Sequence, residues 1–203
     1  MNDAGVRQRV DGRTMRAERT RQAITDAHLA LLEEGDMRPT AERIAERAGV
    51  SLRALWTNFK DMEGLFAAAG ERLMQRQRAE FSPIPPQLPL PERIERYCAQ
   101  RARLLELIAP AARAARIREP FSAQLRKSRA WYLQTARDEI ETLFAPELAA
   151  AGPARGEVLD ALMASATFAG WSMWRDDLHL DVPTATAVLR RVVSALLTAP
   201  AVA

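Results

Sequence analysis

With 203 residues the chain is long enough for one large domain, or for a small module joined to a larger one. Apolar residues make up 48% and charged residues 27%, an ordinary globular balance, and a single cysteine excludes a disulfide framework. The net charge of +3 is too small by itself to announce a nucleic-acid partner, and no run of about 18 apolar residues offers a membrane span.

Charge distribution says more than the total. Net charge is +1 over residues 1–80, +6 over 81–130 and −4 over 131–203. At the amino terminus Arg7, Arg9, Arg13, Arg16, Arg19 and Arg21 face only Asp3, Asp11 and Glu18. That is a basic arm on a nearly neutral module. No apolar run follows these arginines, which argues against a secretory leader, and the lone Cys98 suits a reducing compartment. A cytoplasmic protein without a membrane partner is expected.

Alanine, leucine and arginine dominate and β-branched alternation is nearly absent, so the pattern predicts an all-α protein. Residues 1–15 show no periodicity and predict a mobile arm. From Arg16 a helix begins, with Ile24, Ala27, Leu31 and Leu32 on one face, His28 packed beside it and Gly35 as its stop. Thr40 caps a second helix whose inner face is Ile44, Ala45 and Ala48. Gly49 allows a sharp turn, Val50 fills the space between helices, and Ser51 caps a third helix closed by Leu55 and Phe59. Asp61 caps a fourth, running through Leu65, Phe66, Ala69, Leu73 and Met74.

The stretch SPIPPQLPLP at 82–91 holds five prolines and predicts a stiff connector at a domain boundary. Beyond it, Ile94, Tyr97, Cys98, Leu104, Leu105 and Ile108 share a helix expected to end at Pro110, followed by a short basic helix up to Pro120. Phe121, Leu125, Tyr132, Ala136, Ile140 and Leu143 mark a long helix. A penultimate helix over 156–176, apolar or small on nearly every face, predicts burial all round, and the last helix spans 184–197.

Two short helices around a glycine elbow form a helix-turn-helix, whose second helix fits the DNA major groove, about 12 Å wide. Leu55 and Val50 would anchor that helix from behind, with Leu52, Arg53, Trp56 and Thr57 in front. Any short helical hairpin shares the Gly-Val-Ser elbow. The full run is more specific, because caps, small residues, turn and anchor fall in register.

Residues 20–65 resemble the amino-terminal domain of the TetR family of transcriptional regulators. The resemblance is carried by Arg21, Ile24, Ala27, Gly35, Thr40, IAERAGVS at 44–51, Leu55, the aromatic Trp56, Phe59 and Leu65. It implies an amino-terminal helix-turn-helix domain, residues 16–80 here, and a carboxy-terminal domain for ligand binding and dimerisation, residues 92–198. It further implies a homodimer on a near-palindromic operator, repressing until a small-molecule effector binds, with neither catalysis nor cofactor. Matching positions make Thr40, Ser51, Arg53, Trp56 and Asn58 DNA-contact candidates, joined by the outward-facing Leu52 and Thr57, by Arg16 of the basic arm and by Lys60 as a substitute for the family's lysine. Met62 stands where the family commonly carries lysine, so a phosphate contact there is lost.

In the second domain, aromatic and sulfur side chains nominate a ligand pocket at Leu105, Trp131, Met163, Phe168, Trp171 and Trp174, although such residues also build plain core. The resemblance implies a four-helix dimer interface, for which Leu162, Ala166, Met173, Val188, Val192 and Leu196 are the candidates. An enzyme finds little support. His28, His179 and Cys98 cannot supply a His/Cys metal cluster, and no glycine-rich phosphate loop or metal set occurs. The second reading is a scaffold of the same fold that binds a ligand or protein partner without reading DNA, for which Met62 and the modest charge speak.

Overall fold

The computed structural model describes residues 3–198, with side chains from residue 14 onward. Among the described residues there are ten α-helices and no strand, as the composition predicts. The chain divides into two compact units, residues up to 75 with 110–126, and residues 76–109 with 127 onward. This division runs through helices rather than through the proline-rich stretch.

In the first unit α1 spans Asp3–Glu33. Its backbone is therefore helical from Asp3, where sequence periodicity starts only at Arg16; the side chains of Arg7, Arg9 and Arg13 lie outside the described ones. Gly35, at φ +93°, ends the helix as its amide bonds the Leu32 carbonyl and Asp36 N bonds that of Leu31. Next come α2 (Ala41–Arg47), α3 (Leu52–Asn58) and α4 (Met62–Glu80). Ile24, Leu31, Ile44, Ala45, Leu55, Phe59, Leu65 and Ala68 close one core between them.

α5 runs unbroken over Leu90–Arg118, with Pro110 inside it. The expected stop at Pro110 is not made. Proline removes one backbone donor, but the residues after it are held by packing: Ala111 and Ala114 lie against Leu29, Leu32, Ala69 and Leu73. The chain passes from the second unit back to the first at this proline. A 3-10 turn, Glu119–Phe121, leads into α6 (Ala123–Leu143), which Ser122 caps by accepting from Leu125 N at 3.1 Å. Phe121 thus lies ahead of the helix assigned to it, and it is 90% exposed.

The second unit continues with α7 (Ala145–Ala150), α8 (Arg155–Ala166), α9 (Phe168–Ser172), a π-helical turn at Met173–Asp177 and α10 (Val182–Thr198). The single helix predicted over 156–176 is therefore broken, at Thr167, whose backbone is extended. Gly170 is needed there. A Cβ on it would meet the Ala164 and Ser165 carbonyl oxygens at 2.5 and 2.7 Å. Nor is the segment buried all round: Glu157, Asp160, Ala164, Ala169 and Met173 are exposed.

The proline-rich stretch is tied down rather than free. Ser82 N donates to Gln100 Oε1 at 2.8 Å. Buried Arg93 donates from Nε to the Leu88 carbonyl at 2.9 Å, and from Nη1 to the Leu143 carbonyl at 2.6 Å. Its two terminal nitrogens also grip both Glu147 oxygens, at 2.9 and 2.5 Å, which holds that carboxyl below its usual range.

Candidate nucleic-acid interface

The elbow between α2 and α3 is built from local chemistry. Thr40 Oγ1 accepts from Arg43 N at 3.3 Å, and Ser51 Oγ accepts from Ala54 N at 3.1 Å, so each hydroxyl fills a helix-start donor. Gly49 sits at φ +66°, a conformation costly for any side chain, and lets Val50 N reach the Ala45 carbonyl at 3.0 Å. Val50 packs on the core, as its position predicts.

α3 has seven residues, about 10 Å of helix. Leu55 is fully buried and Phe59 nearly so, while Arg53 and Thr57 are exposed and Leu52 and Trp56 are 36% and 41% exposed. Burying that much leucine and tryptophan surface elsewhere would be favourable by several tenths of a kcal/mol to about 2 kcal/mol each. An exposed apolar pair beside an arginine is suited to thymine methyls and phosphate-flanked sugar edges. Asn58 is half-buried and turned back, its Nδ2 donating to the Ala54 carbonyl at 2.8 Å; Thr57 Oγ1 likewise donates to the Arg53 carbonyl at 2.8 Å.

Basic groups on this unit separate into two sets. Arg43 pairs with Asp36 at 2.7 Å, Arg47 with Glu34 at 2.5 Å and Arg72 with Asp26 at 2.9 Å. Arg16, Arg19, Arg38, Arg53 and Lys60 are exposed and make no side-chain ion pair or hydrogen bond among the described residues. Arg19 and Arg38 are absent from the candidates drawn from sequence. Arg38 had a signal, two positions before the Thr40 cap. Met62 is half-buried against the amino-terminal core, so this thioether fills space rather than facing outward.

His28 is buried beside Phe66, ring centroids 5.9 Å apart. Burial, and then the Arg118 guanidinium, push its pKa down to about 4, against a smaller upward pull from Asp36. It is a neutral packing residue, as the sequence suggests.

The second unit treats its candidates unevenly. Leu105 and Trp171 are buried, and Met163, Phe168 and Trp174 pack against the same core. Trp131 does not join them. It is 41% exposed on α6, its ring 5.1 Å from that of Tyr132. A groove on this unit is lined by other residues altogether. Of the interface candidates, Leu162 and Ala166 are buried inside their own subunit and leave no area for a partner. Helical spacing gave their face but not what covers it, and α10 covers it. Met173 is exposed, and Val188, Val192 and Leu196 are half-exposed. Among the described residues no helix is long and apolar enough to cross a membrane.

Residues 24–69 match the family of bacterial regulatory proteins described as the tetR family. Among solved structures, a transcriptional regulator from Rhodococcus sp. Rha1 is similar over 92% of this chain and 98% of that one, with a TM-score of 0.67 and 20% sequence identity. That likeness is one of fold. No curated protein matches the chain. The matched segment is the helix-turn-helix itself, with its caps, elbow and anchors in place, and residues 24–69 form an amino-terminal domain of the tetR family of bacterial regulatory proteins.

Proposed function

We propose that this DNA-binding regulator is a sequence-specific repressor, acting in the cytoplasm as a homodimer on a near-palindromic operator and released by a small molecule bound in its second unit. The observation that carries the reading is the polarity of α3. Leu55 and Phe59 fix it from behind, and Leu52, Arg53, Trp56 and Thr57 stand out in front. Arg53 supplies the donors for a guanine edge, and Arg16, Arg19, Arg38 and Lys60 supply unpaired charge for phosphates. Thr40 and Ser51, spent on their own helix starts as acceptors, retain a hydroxyl hydrogen for a phosphate oxygen. A twofold operator calls for a twofold protein, and the half-exposed Val188, Val192 and Leu196 with exposed Met173 are the apolar surface available for it.

The test is selection of bound fragments from a random-DNA pool, at low and at moderate salt. A palindromic consensus that survives moderate salt supports the reading. A folded protein that enriches no sequence overturns it, in favour of a scaffold that binds without reading DNA.

A further inference from the structure

A groove of about 570 Å³ runs along α5, bounded by Glu80 at the end of α4 and by the first turns of α10. Its walls at Ala99, Ala102, Leu107 and Val182 are apolar, and Glu80, Arg103 and Glu106 break them. On the same helix Arg93, Arg96 and Arg101 each hold a carboxylate. Arg103 holds none among the described residues, although Glu106 stands one turn away.

Glu106 is engaged elsewhere. Its Oε1 accepts from Trp171 Nε1 at 2.7 Å and from Arg175 Nε at 2.9 Å. Trp171 is fully buried, and the π-helical turn at Met173–Asp177 carries Arg175. Such turns recur at functional sites. The carboxylate is thereby fixed, and its second oxygen has no partner among the described residues. Thr186 has already spent its hydrogen on the Val182 carbonyl at 2.7 Å, so it can only accept. What the groove offers on its apolar wall is the Arg103 guanidinium and the Glu80 carboxylate, both without a partner among the described residues, and the second oxygen of the Glu106 carboxylate. With Arg175 set against Glu106, these charges balance, which suits a zwitterion better than an ion of either sign.

We propose that this groove binds an apolar α-amino acid, carboxylate on Arg103, ammonium on Glu106 and Glu80, side chain against Ala99, Ala102, Leu107 and Val182. An α-amino acid carries both charges on one carbon, and Arg103 and Glu106, three apart on a helix, are about 5–6 Å apart at Cβ. That this ligand is the releasing effector rests on the repressor reading above; the binding itself does not.

The experiment titrates the full-length protein, without DNA, with L-phenylalanine, N-acetyl-L-phenylalanine and L-phenylalanine methyl ester, by calorimetry and tryptophan fluorescence. L-phenylalanine should bind, and loss of either charge should weaken binding about tenfold, one charge-assisted hydrogen bond's worth. Glu106→Gln should erase the penalty for acetylation, and Arg103→Gln the penalty for esterification, with circular dichroism unchanged. Failure of L-phenylalanine to bind, equal binding of all three compounds, or variants that leave both penalties intact would overturn the assignment. Binding that follows this pattern without releasing a selected operator fragment would keep the site and sink only its role as the releasing effector.

Discussion

The Arg21 guanidinium stands 4.2 Å from the centroid of the Phe59 ring and donates from Nη1 to the Asn58 carbonyl at 2.9 Å. One side chain of α1 thus closes the end of α3 and satisfies a carbonyl the helix leaves open. Arg21→Ala is expected to cost about 2 kcal/mol of stability by urea unfolding. It should weaken binding to a selected DNA site without changing the preferred sequence. Arg21→Lys should recover only part, since an ammonium cannot both stack and reach the carbonyl in one plane.

Arg53 and Arg16 should fail differently. Arg53→Ala is expected to cost about 1–3 kcal/mol on the selected site and to relax preference at one position. Arg16→Ala should weaken all sequences alike and flatten the dependence of affinity on salt. Equilibrium binding across a salt series separates the two. Indistinguishable behaviour of both variants from the parent would place the reading surface elsewhere.

His28 sets a pH dependence. Its folded pKa is about 4 against an ordinary 6.5. Between those values the unfolded chain takes up a proton that the folded protein refuses. Stability is therefore full above pH 6.5 and falls as pH drops toward 4, by about 3 kcal/mol from this group. Urea unfolding across that window should show the slope, and His28→Asn should reduce it. An unchanged slope would mean that carboxylates alone govern it.

Gly170→Ala must push a methyl group against two backbone oxygens, neither of which can swing away. A loss of about 1–3 kcal/mol is expected, measured by denaturant midpoint at constant m-value. Gly156→Ala, where an added Cβ meets nothing, serves as the control and should be neutral or slightly stabilising.

Cys98 is buried, and burial, followed by the nearby Glu95 charge, pushes its thiol up to about 12. A thiol reagent at pH 8 should label it only as fast as the protein opens. Rapid labelling of the native protein would contradict the packing around α5.

The amino-terminal helices were legible because their boundaries are set by neighbours in sequence. Thr40, Ser51, Asp61, Gly35 and Gly49 each act within about four residues of themselves. Pro110 was misread because the cost of a proline in a helix is local while its compensation is not: Leu29, Leu32, Ala69 and Leu73 lie far away in the chain. Leu162, Ala166 and Trp131 show the same limit. Periodicity ranks faces by apolarity, and which face meets α10, which meets solvent and which meets another molecule depends on contacts made across the fold. The groove on α5 left still less trace, since its walls are mostly alanine, leucine and valine, and its distinguishing feature is where the Glu106 carboxylate is turned.

Thr57 has turned its one hydroxyl hydrogen inward, onto the Arg53 carbonyl, and Asn58 has committed one of its two amide hydrogens to the Ala54 carbonyl. What α3 shows outward is consequently directional: hydrogen-bond donors at its first turn, through Arg53, and at Thr57, one turn on, only lone pairs. Laid along a groove, such a helix distinguishes the two senses of a base step. Guanine, rich in acceptors, suits Arg53, and the amino groups of cytosine or adenine suit the Thr57 oxygen, so reversing a half-site costs contacts at both residues at once.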